Sequence, residues 1–499
     1  VTRILVAGHG MAGSRFVQEL RARDPEQQLD VTVFGAERDG AYNRVLLSSV
    51  LAGSLAPADV EMIPSAWYAA EDVDLRLGVS VESIDRGRQR VWTSQGEYIG
   101  YDHLVLATGS QPVVPDIDGI LAGDELASGV AVFRTLQDCR DILDCLDGVH
   151  RAVVLGGGLL GVEAARGLAG RGVEVEVMHA VDRLMERQLD AEAGQILAGT
   201  LRSRHVQVRL DARARSVGEV AGQRVVVLDD GTYVAADLLI IACGVRPDTG
   251  LARAAGLDVD RGVVVDDQLT SVTDRRVHAI GECAQYGGET YGLVAPAWEQ
   301  ATVLADVLTG GGASYDGSRL VTRLKAADVD LAAMGETDPE DAVDAPADAR
   351  QGGGAEVLRF ADPARGVYQK IVIRDQRITG AIMLGGAETV GTVTQLFDRA
   401  GTVPADRRAL IFPGIVDAVS AVDPAELGDT ELVCRCNGVS AGDVRHACAS
   451  GAATVADVAG CTRATTGCGS CRETVAALVA TAASEQPDDP GLELVEVPA

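Results

Sequence analysis

The chain has 499 residues, 47% of them hydrophobic, 23% charged and only 4% aromatic, which is material for about three or four globular domains. Its formal net charge of −29 speaks against nucleic acid and anionic lipid as partners, because a field of that sign repels both. No apolar run approaches the roughly 18–20 residues that span a bilayer, and the first residues enter a strand with no room for a leader, so the expected setting is the cytoplasm, where ten cysteines point to metal or redox use and not to a disulfide framework.

In chain order, Ile4–Ala7 reads as a short buried strand, Met11–Arg23 as a helix and Val31–Phe34 as the next strand. The same pattern begins again at residue 151: strand Ala152–Leu155, a glycine turn, helix Leu160–Arg171 and strand Val173–Met178. Ala235–Cys243 and Val277–Ile280 read as later strands of the two units. Beyond residue 318, Leu320–Val329, Gly366–Arg374 and Ile378–Leu384 look like strands and Ala387–Ala400 like a helix of a smaller α+β domain. An acidic stretch over 336–350, followed by three glycines at 352–354, is expected to be a long solvated loop. Residues 405–430 connect to a cysteine module at 431–483, and the acidic, proline-containing tail 484–499 is expected to be disordered.

The first turn is Gly8-His9-Gly10-Met11-Ala12-Gly13, directly after a strand and opening a helix. Gly8 permits the tight turn, Gly10 lets backbone approach a pyrophosphate, and Gly13 lets the helix pack close to the sheet. Glu37, after the next strand, is placed to hold a ribose. The second turn is Gly156-Gly157-Gly158-Leu159-Leu160-Gly161, with Glu163 on the helix that follows. Here His179 ends the next strand, where a carboxylate would bond the ribose of NADH and repel the extra phosphate of NADPH. Histidine does neither cleanly, so His179 is either a cofactor contact or a solvent-facing strand end, and NADH is favoured over NADPH. Two such turns imply two dinucleotides. A strand ending in Thr108-Gly109 and another ending in Gly281-Glu282 identify one of them as FAD.

At the other end, Cys434-Arg435-Cys436 and Cys468-Gly469-Ser470-Cys471 form two close thiol pairs about thirty residues apart. Four such thiolates can hold zinc or a [2Fe–2S] cluster, and spacing alone does not choose between them. Cys139, Cys145, Cys243, Cys283, Cys448 and Cys461 lack paired spacing and read as ordinary packing or surface residues.

The order of these motifs, with Cys243-Gly244-Val245-Arg246-Pro247 between the second turn and Gly281, resembles the pyridine-nucleotide-disulfide oxidoreductase superfamily. Three segments narrow the resemblance: 41–49, Leu184-Met185-Glu186-Arg187-Gln188-Leu189-Asp190, and Gly281-Glu282-Cys283 through Tyr291-Gly292-Leu293-Val294-Ala295-Pro296. They are similar to the flavoprotein part of NADH-dependent assimilatory nitrite reductase large subunits and to the electron-transfer subunits of assimilatory nitrate reductase. The Cys-x-Cys and Cys-x-x-Cys order, with Thr465-Thr466-Gly467 before Cys468, resembles the bacterioferritin-associated-ferredoxin-type module.

The resemblance implies an α/β protein of two nested Rossmann-like domains, FAD-binding over 1–115 and 250–315 and NAD(P)-binding over 116–249, with a small α+β domain at 318–400 and a small helical [2Fe–2S] module at 431–483. It implies FAD contacts from Arg44 and Ser48 and from the backbone of Val81, a nicotinamide site near Glu163 lined by Gly244, and a [2Fe–2S] cluster on Cys434, Cys436, Cys468 and Cys471. Ser49 stands where relatives often carry a lysine, so no lysine partner for the flavin ring is expected. Disulfide-reducing branches carry a cysteine pair on the helix after the first acidic residue or a single cysteine near position 43; with neither here and Asn43 at that position, disulfide reduction is not expected.

The implied activity is NAD(P)H-dependent electron transfer through FAD and the cluster to a molybdenum-containing assimilatory nitrate reductase. The alternatives are the flavoprotein half of a split nitrite reductase with a sirohaem subunit, a ferredoxin or rubredoxin reductase-like enzyme, and, in another class, a redox-sensing or docking protein. Because no second cysteine quartet follows Cys471, the chain is not expected to reduce nitrite by itself.

Overall fold

Runs such as Ile4-Leu5-Val6-Ala7 and Val153-Val154-Leu155 are apolar on both sides, so they are stable only in a sheet covered on both faces. The computed structural model, which describes residues 1–220, 223–326, 329–339, 354–412, 427–434, 437–465 and 471–485, puts them there. The protein divides into two compact units, Val1–Arg407 and Arg408–Ala499.

In the first unit, the strand Thr2–Ala7 is central to a five-stranded parallel sheet in the order 277–279, 103–106, 2–7, 29–35, 73–77. The helix Met11–Arg23 returns across it, burying Phe16, Val17 and Leu20. A second parallel sheet repeats the plan in the order 130–132, 238–241, 151–155, 174–178, 206–209, with Arg151–Leu155 central and the helix Leu159–Gly170 crossing back. A third, antiparallel sheet in the order 321–326, 329–335, 377–384, 367–374, 356–362 carries the helix Ala387–Asp398. Its Leu331, Ile382 and Leu384 share one apolar core with Ala164, Leu168, Leu197 and Leu201 of the second nucleotide-binding unit.

A buried polar contact joins the same two regions. Asp190 caps the helix Ala191–Ser203 by accepting from Ala193 N–H at 2.9 Å. Its other carboxylate oxygen accepts from Tyr368 O–H at 2.6 Å and from Lys370 Nζ at 3.0 Å. Burial pushes the Asp190 carboxyl up, but the bonds from Tyr368, Ala193 N–H and Lys370 outweigh it and leave it below the usual carboxylate range.

The second unit is small. Leu432–Cys434 pairs antiparallel with Val439–Ser440, and the helices Ala441–Ala449, Val455–Thr462 and Arg472–Glu485 follow. Ser440 with Asp443 and Thr454 with Asp457 form reciprocal capping boxes at the first two helices.

Several expectations need correction. Leu320–Val329 is not one strand: Val321–Ala326 and Val329–Gly335 pair as antiparallel neighbours. Ala235–Cys243 divides into Tyr233–Ala235, in a separate three-stranded antiparallel sheet, and Leu238–Ile241. The strand Glu356–Asp362 was not anticipated. The last helix runs to Glu485, into the segment expected to be disordered, and 486–499 lie outside the described residues. Most of the acidic loop, 340–350, also lies outside them, as do 413–426 of the connecting segment. Among the described residues no helix is long and apolar enough to cross a membrane.

Two buried histidines make stability depend on pH. His278 Nε2 lies 3.1 Å from His103 Nδ1, and its Nδ1 lies 3.1 Å from Thr270 Oγ1. Burial, with His103 adding to it, takes His278 from 6.5 down to about 3. Burial likewise lowers His9 to about 4 against the opposing pull of Glu37. Unfolding therefore takes up protons below pH 6.5 that the folded protein refuses. Stability is full above pH 6.5 and falls as pH drops toward 4, by up to about 1.4 kcal/mol per pH unit for each histidine. Native-state hydrogen exchange in the strand Val277–Ala279 between pH 7 and pH 4.5, corrected for intrinsic exchange rates, should show this slope, and His278→Asn should flatten it.

Candidate functional site

Parallel register assembles the site. Ala7 pairs with Phe34 and with Leu106, and Leu106 pairs with Ala279, so the residues after these four strands emerge along one edge of the sheet. They are Gly8, Gly35 to Glu37, Thr108-Gly109 and Gly281-Glu282, brought together from four parts of the chain. Gly8 has φ +120°, and a Cβ there would lie 2.1 Å from the carbonyl oxygen of Ala107, so no other residue fits without moving the backbone. A Cβ at Gly13 would meet the Gly8 oxygen at 2.1 Å, which makes it the close-packing position. A Cβ at Gly10 would meet nothing within 4 Å.

The helix Met11–Arg23 starts beside that open space with no side-chain cap and no acidic residue in its first turn. Its first N–H groups and its positive end are thus available to an anion. The second sheet matches it. Leu155 pairs with Met178 and Ile241, bringing Gly156, His179 and Cys243-Gly244 to one edge. The helix Leu159–Gly170 again starts uncapped beside Gly158, whose Cβ would meet nothing within 4 Å, and Gly161 closes on the Gly156 oxygen. By contrast, the helices after Thr135, Asp190, Ser440 and Thr454 each close this end with a side chain.

Along the first edge lie two ion pairs. Glu37 pairs with Arg44 and accepts from Tyr42 O–H at 2.6 Å. Burial opposes the charge on Arg44, and Tyr42 and Glu37 outweigh it, so the guanidinium is held firmly protonated. Arg44 Nη1 also donates to the carbonyl of Arg134 at 3.0 Å. Arg134 pairs with Glu282, and its Nη2 donates to Ser110 Oγ at 2.8 Å. Arg134 Nε and Ser48 Oγ are buried with no protein partner, as expected of groups that meet a polar ligand. Thr108 Oγ1 donates to the Asp248 carbonyl at 2.7 Å, and Gly281 N–H donates to Gln300 Oε1 at 2.7 Å. Open cradles, uncapped helix ends and orphaned buried donors together fit two dinucleotides.

The other anticipated residues lie as follows. Val81 begins the strand Val81–Asp85 and is half-buried. Glu163 is buried on the helix Leu159–Gly170. Gly244, at φ +97°, has open space where its Cβ would be. Asn43 is buried and accepts from Val45 N–H at 3.1 Å, a capping role with no redox chemistry. Cys283 is fully buried, and burial pushes its thiol up, which suits packing.

His179 is not solvent-facing: Gly157 N–H donates to its Nδ1 at 3.0 Å, and its Nε2 lies 3.1 Å from Glu186 Oε2. Arg134 lies outside every segment that carried the sequence reading, and Ser110, Tyr42 and Glu186, which lie within such segments, were assigned no role there. So was the bond of His9 Nε2 to Tyr68 O–H at 2.7 Å, which ties the first turn to the helix Ser65–Ala70.

In the second unit Cys434 ends a strand and Cys471 directly precedes the last helix, both buried. Asn437 Nδ2 donates to Cys434 Sγ at 3.8 Å and to the Arg463 carbonyl at 2.7 Å, linking the first cysteine segment to the approach to the second. Cys436 and Cys468 lie outside the described residues. Cys139, Cys145, Cys243, Cys283, Cys448 and Cys461, outside the two close pairs, are free thiols.

Comparison with known proteins agrees with this geometry. Residues 2–301 match the family model for pyridine nucleotide-disulphide oxidoreductase, 321–399 that for the rubredoxin NAD+ reductase C-terminal domain, and 432–481 that for the BFD-like [2Fe-2S] binding domain. The chain is 34% identical to a nitrite reductase [NAD(P)H] of Bacillus subtilis (strain 168), over 95% of this chain and 57% of that protein. It is 31% identical to the assimilatory nitrate reductase electron transfer subunit of the same organism, over 95% of this chain and 59% of the other. It thus spans little more than half the length of these relatives. Among solved structures, the ferredoxin reductase for the CYP199A2 system from Rhodopseudomonas palustris is 25% identical, with a TM-score of 0.70 over 81% of this chain and 96% of that one. The chain belongs to the pyridine nucleotide-disulphide oxidoreductase family, oxidoreductases that use FAD and NAD(P)H, and carries a BFD-like [2Fe–2S] binding domain over 432–481.

Proposed function

We propose that this chain is a cytoplasmic electron relay that accepts a hydride from NADH and delivers electrons singly, by way of FAD and the [2Fe–2S] cluster, to the molybdenum-containing catalytic subunit of an assimilatory nitrate reductase. The observation that carries this reading is the union in one chain of two open glycine turns under uncapped helix ends with a BFD-like cysteine module. When bound, a flavin supplies the exchange between two-electron chemistry at nicotinamide and one-electron chemistry at iron and sulfur.

The residues of the chain bind, orient and insulate. Gly8, Gly10 and Gly13 make the first cradle and Gly156, Gly158 and Gly161 the second. Glu37 and Glu282 are assigned to hydroxyls of the FAD ribose and sugar-alcohol chain, and Arg44 and Arg134 to its phosphates, since each acid already stands beside its arginine. Ser48, Thr108, Gly109, Gly281 and the backbone of Val81 complete the FAD site, and Glu163 and Gly244 the nicotinamide site. Cys434, Cys436, Cys468 and Cys471 are assigned to the cluster. No side chain is required to move a proton in hydride transfer itself.

The nitrate assignment rests on likeness to an assimilatory nitrate reductase electron transfer subunit. Likeness to a nitrite reductase supports a second reading, in which the acceptor is a sirohaem nitrite reductase subunit. Reconstitution with each partner separates them. NADH-dependent loss of nitrate with the molybdenum subunit is the expected result. Loss of nitrite with the sirohaem subunit alone favours the second reading, and turnover with neither contradicts both.

A further inference from the structure

We infer that Glu186 supplies the carboxylate that selects NADH over NADPH, a role His179 does not fill at the end of its strand. The inference rests on the reading of the second glycine turn as the nicotinamide-dinucleotide site. In a unit of this kind the adenosine ribose falls beside the end of the strand next to the central one, and an acid there accepts from the 2′-hydroxyl. That strand is Glu174–Met178, in register with Arg151–Leu155, and it ends at His179.

Both ring nitrogens of His179 are already engaged. Gly157 N–H can only donate, so Nδ1, 3.0 Å away, is an acceptor without a proton. The ring proton therefore sits on Nε2 and faces Glu186 Oε2 at 3.1 Å. The imidazole has no acceptor left for a ribose hydroxyl. It has instead fixed a carboxylate one hydrogen bond beyond the strand end.

The segment that bears Glu186 is held by the turn itself. Met185, at φ +50°, donates its N–H to the Gly157 carbonyl at 2.9 Å. Leu184 is fully buried, and a Cβ at Gly157 would come within 2.4 Å of its Cδ2. The two polar backbone groups of Gly157 are thus taken by the two ends of one short segment, His179 and Met185. The Glu186 side chain is 36% exposed, and its Oε1 has no protein partner among the described residues.

Two nearby arginines, Arg183 and Arg209, are already committed to other groups, whereas Arg187, next to Glu186 in sequence, is exposed. Arg183 is bonded to Asp182 at 3.0 Å and to the Leu189 carbonyl at 3.2 Å, and Arg209 to Glu176 at 2.7 Å. To engage Arg183 or Arg209, a 2′-phosphate would have to draw it from its partners while facing the Glu186 carboxylate. A 2′-hydroxyl would meet an acceptor instead. Discrimination therefore comes from repulsion of the wrong nucleotide as well as attraction of the right one.

The test is calorimetric binding of NAD+ and of NADP+ to the full, flavin-loaded chain, with steady-state KM for NADH and NADPH alongside. The wild type should bind NAD+ at least tenfold more tightly than NADP+. Glu186→Gln should reduce that ratio about tenfold, and Glu186→Arg should invert it, with flavin content as the check on folding. Equal affinity of the wild type for both nucleotides would overturn the assignment, and so would an equal change for both in Glu186→Gln. Binding of neither nucleotide by the wild type would instead overturn the reading of the second turn on which the inference rests.

Discussion

Asp190→Ala is expected to cost about 3–5 kcal/mol where the antiparallel sheet meets the second nucleotide-binding unit. The reason is the company Asp190 keeps. It is buried with Lys370, one of only two lysines in the chain, and the side chains of the pair are each about 10% exposed. Removing the acid leaves the Lys370 ammonium in that environment with, among the described residues, only Asp338, 75% exposed, as a partner. Removing the lysine is milder, because Asp190 keeps its bonds from Tyr368 and from Ala193 N–H. Lys370→Met should therefore cost less than Asp190→Ala, and the double variant less than the sum of the two. A chain of this length does not unfold in one step, so the measurement is native-state hydrogen exchange in the strand Val367–Arg374. Exchange in Asp190→Ala should speed up roughly a hundredfold or more. Unchanged exchange would mean that the apolar contacts alone hold the sheet in place.

Cys434→Ser and Cys471→Ser are each expected to abolish the iron–sulfur absorption and bound iron while leaving flavin content intact. Iron in such a cluster requires thiolate sulfur, and a serine hydroxyl at neutral pH stays protonated and is a harder, poorer ligand. Retention of flavin follows because every residue proposed to hold FAD lies within Val1–Arg407, the unit that does not carry Cys434 or Cys471. In these variants NADH should still bleach the flavin, and electron delivery to a one-electron acceptor should collapse. Cys461→Ser, at an exposed position outside both cysteine pairs, should change none of this. Iron content by plasma emission and the visible spectrum check all three. A normal cluster in Cys434→Ser would remove that residue from the ligand set.

What was legible in the sequence is what local pattern encodes. Continuous apolar runs followed by glycine turns located the central strands at 4–7 and 152–155, which the structure extends to 2–7 and 151–155, because a buried parallel strand and a tight turn each leave a signature a few residues long. The helix Met11–Arg23 was read to its ends for the same reason. The boundary between the strands ending at Ala326 and beginning at Val329 was not, since the sequence there carries no glycine, proline or asparagine.

The electrostatics of the site were legible only in part. Glu37 and Glu282 stand at motif positions, but Arg134 reaches Glu282 across 148 positions of sequence and carries no periodic mark. His179 shows the limit most clearly. Its residue type was plain, and its role depended on which atom faced it, a backbone N–H supplied 22 positions earlier. Tertiary register, not local propensity, decides such contacts.

The central claim is that reducing equivalents pass from nicotinamide through flavin to iron within this one chain. Anaerobic titration of the purified, cofactor-loaded protein with NADH tests it most directly, followed by visible absorption and low-temperature electron paramagnetic resonance. The account predicts that flavin absorption falls and that the signal of a reduced [2Fe–2S] cluster grows in the same titration. Flavin that bleaches over an unreduced cluster, or a C-terminal module that holds zinc in place of iron, would contradict it.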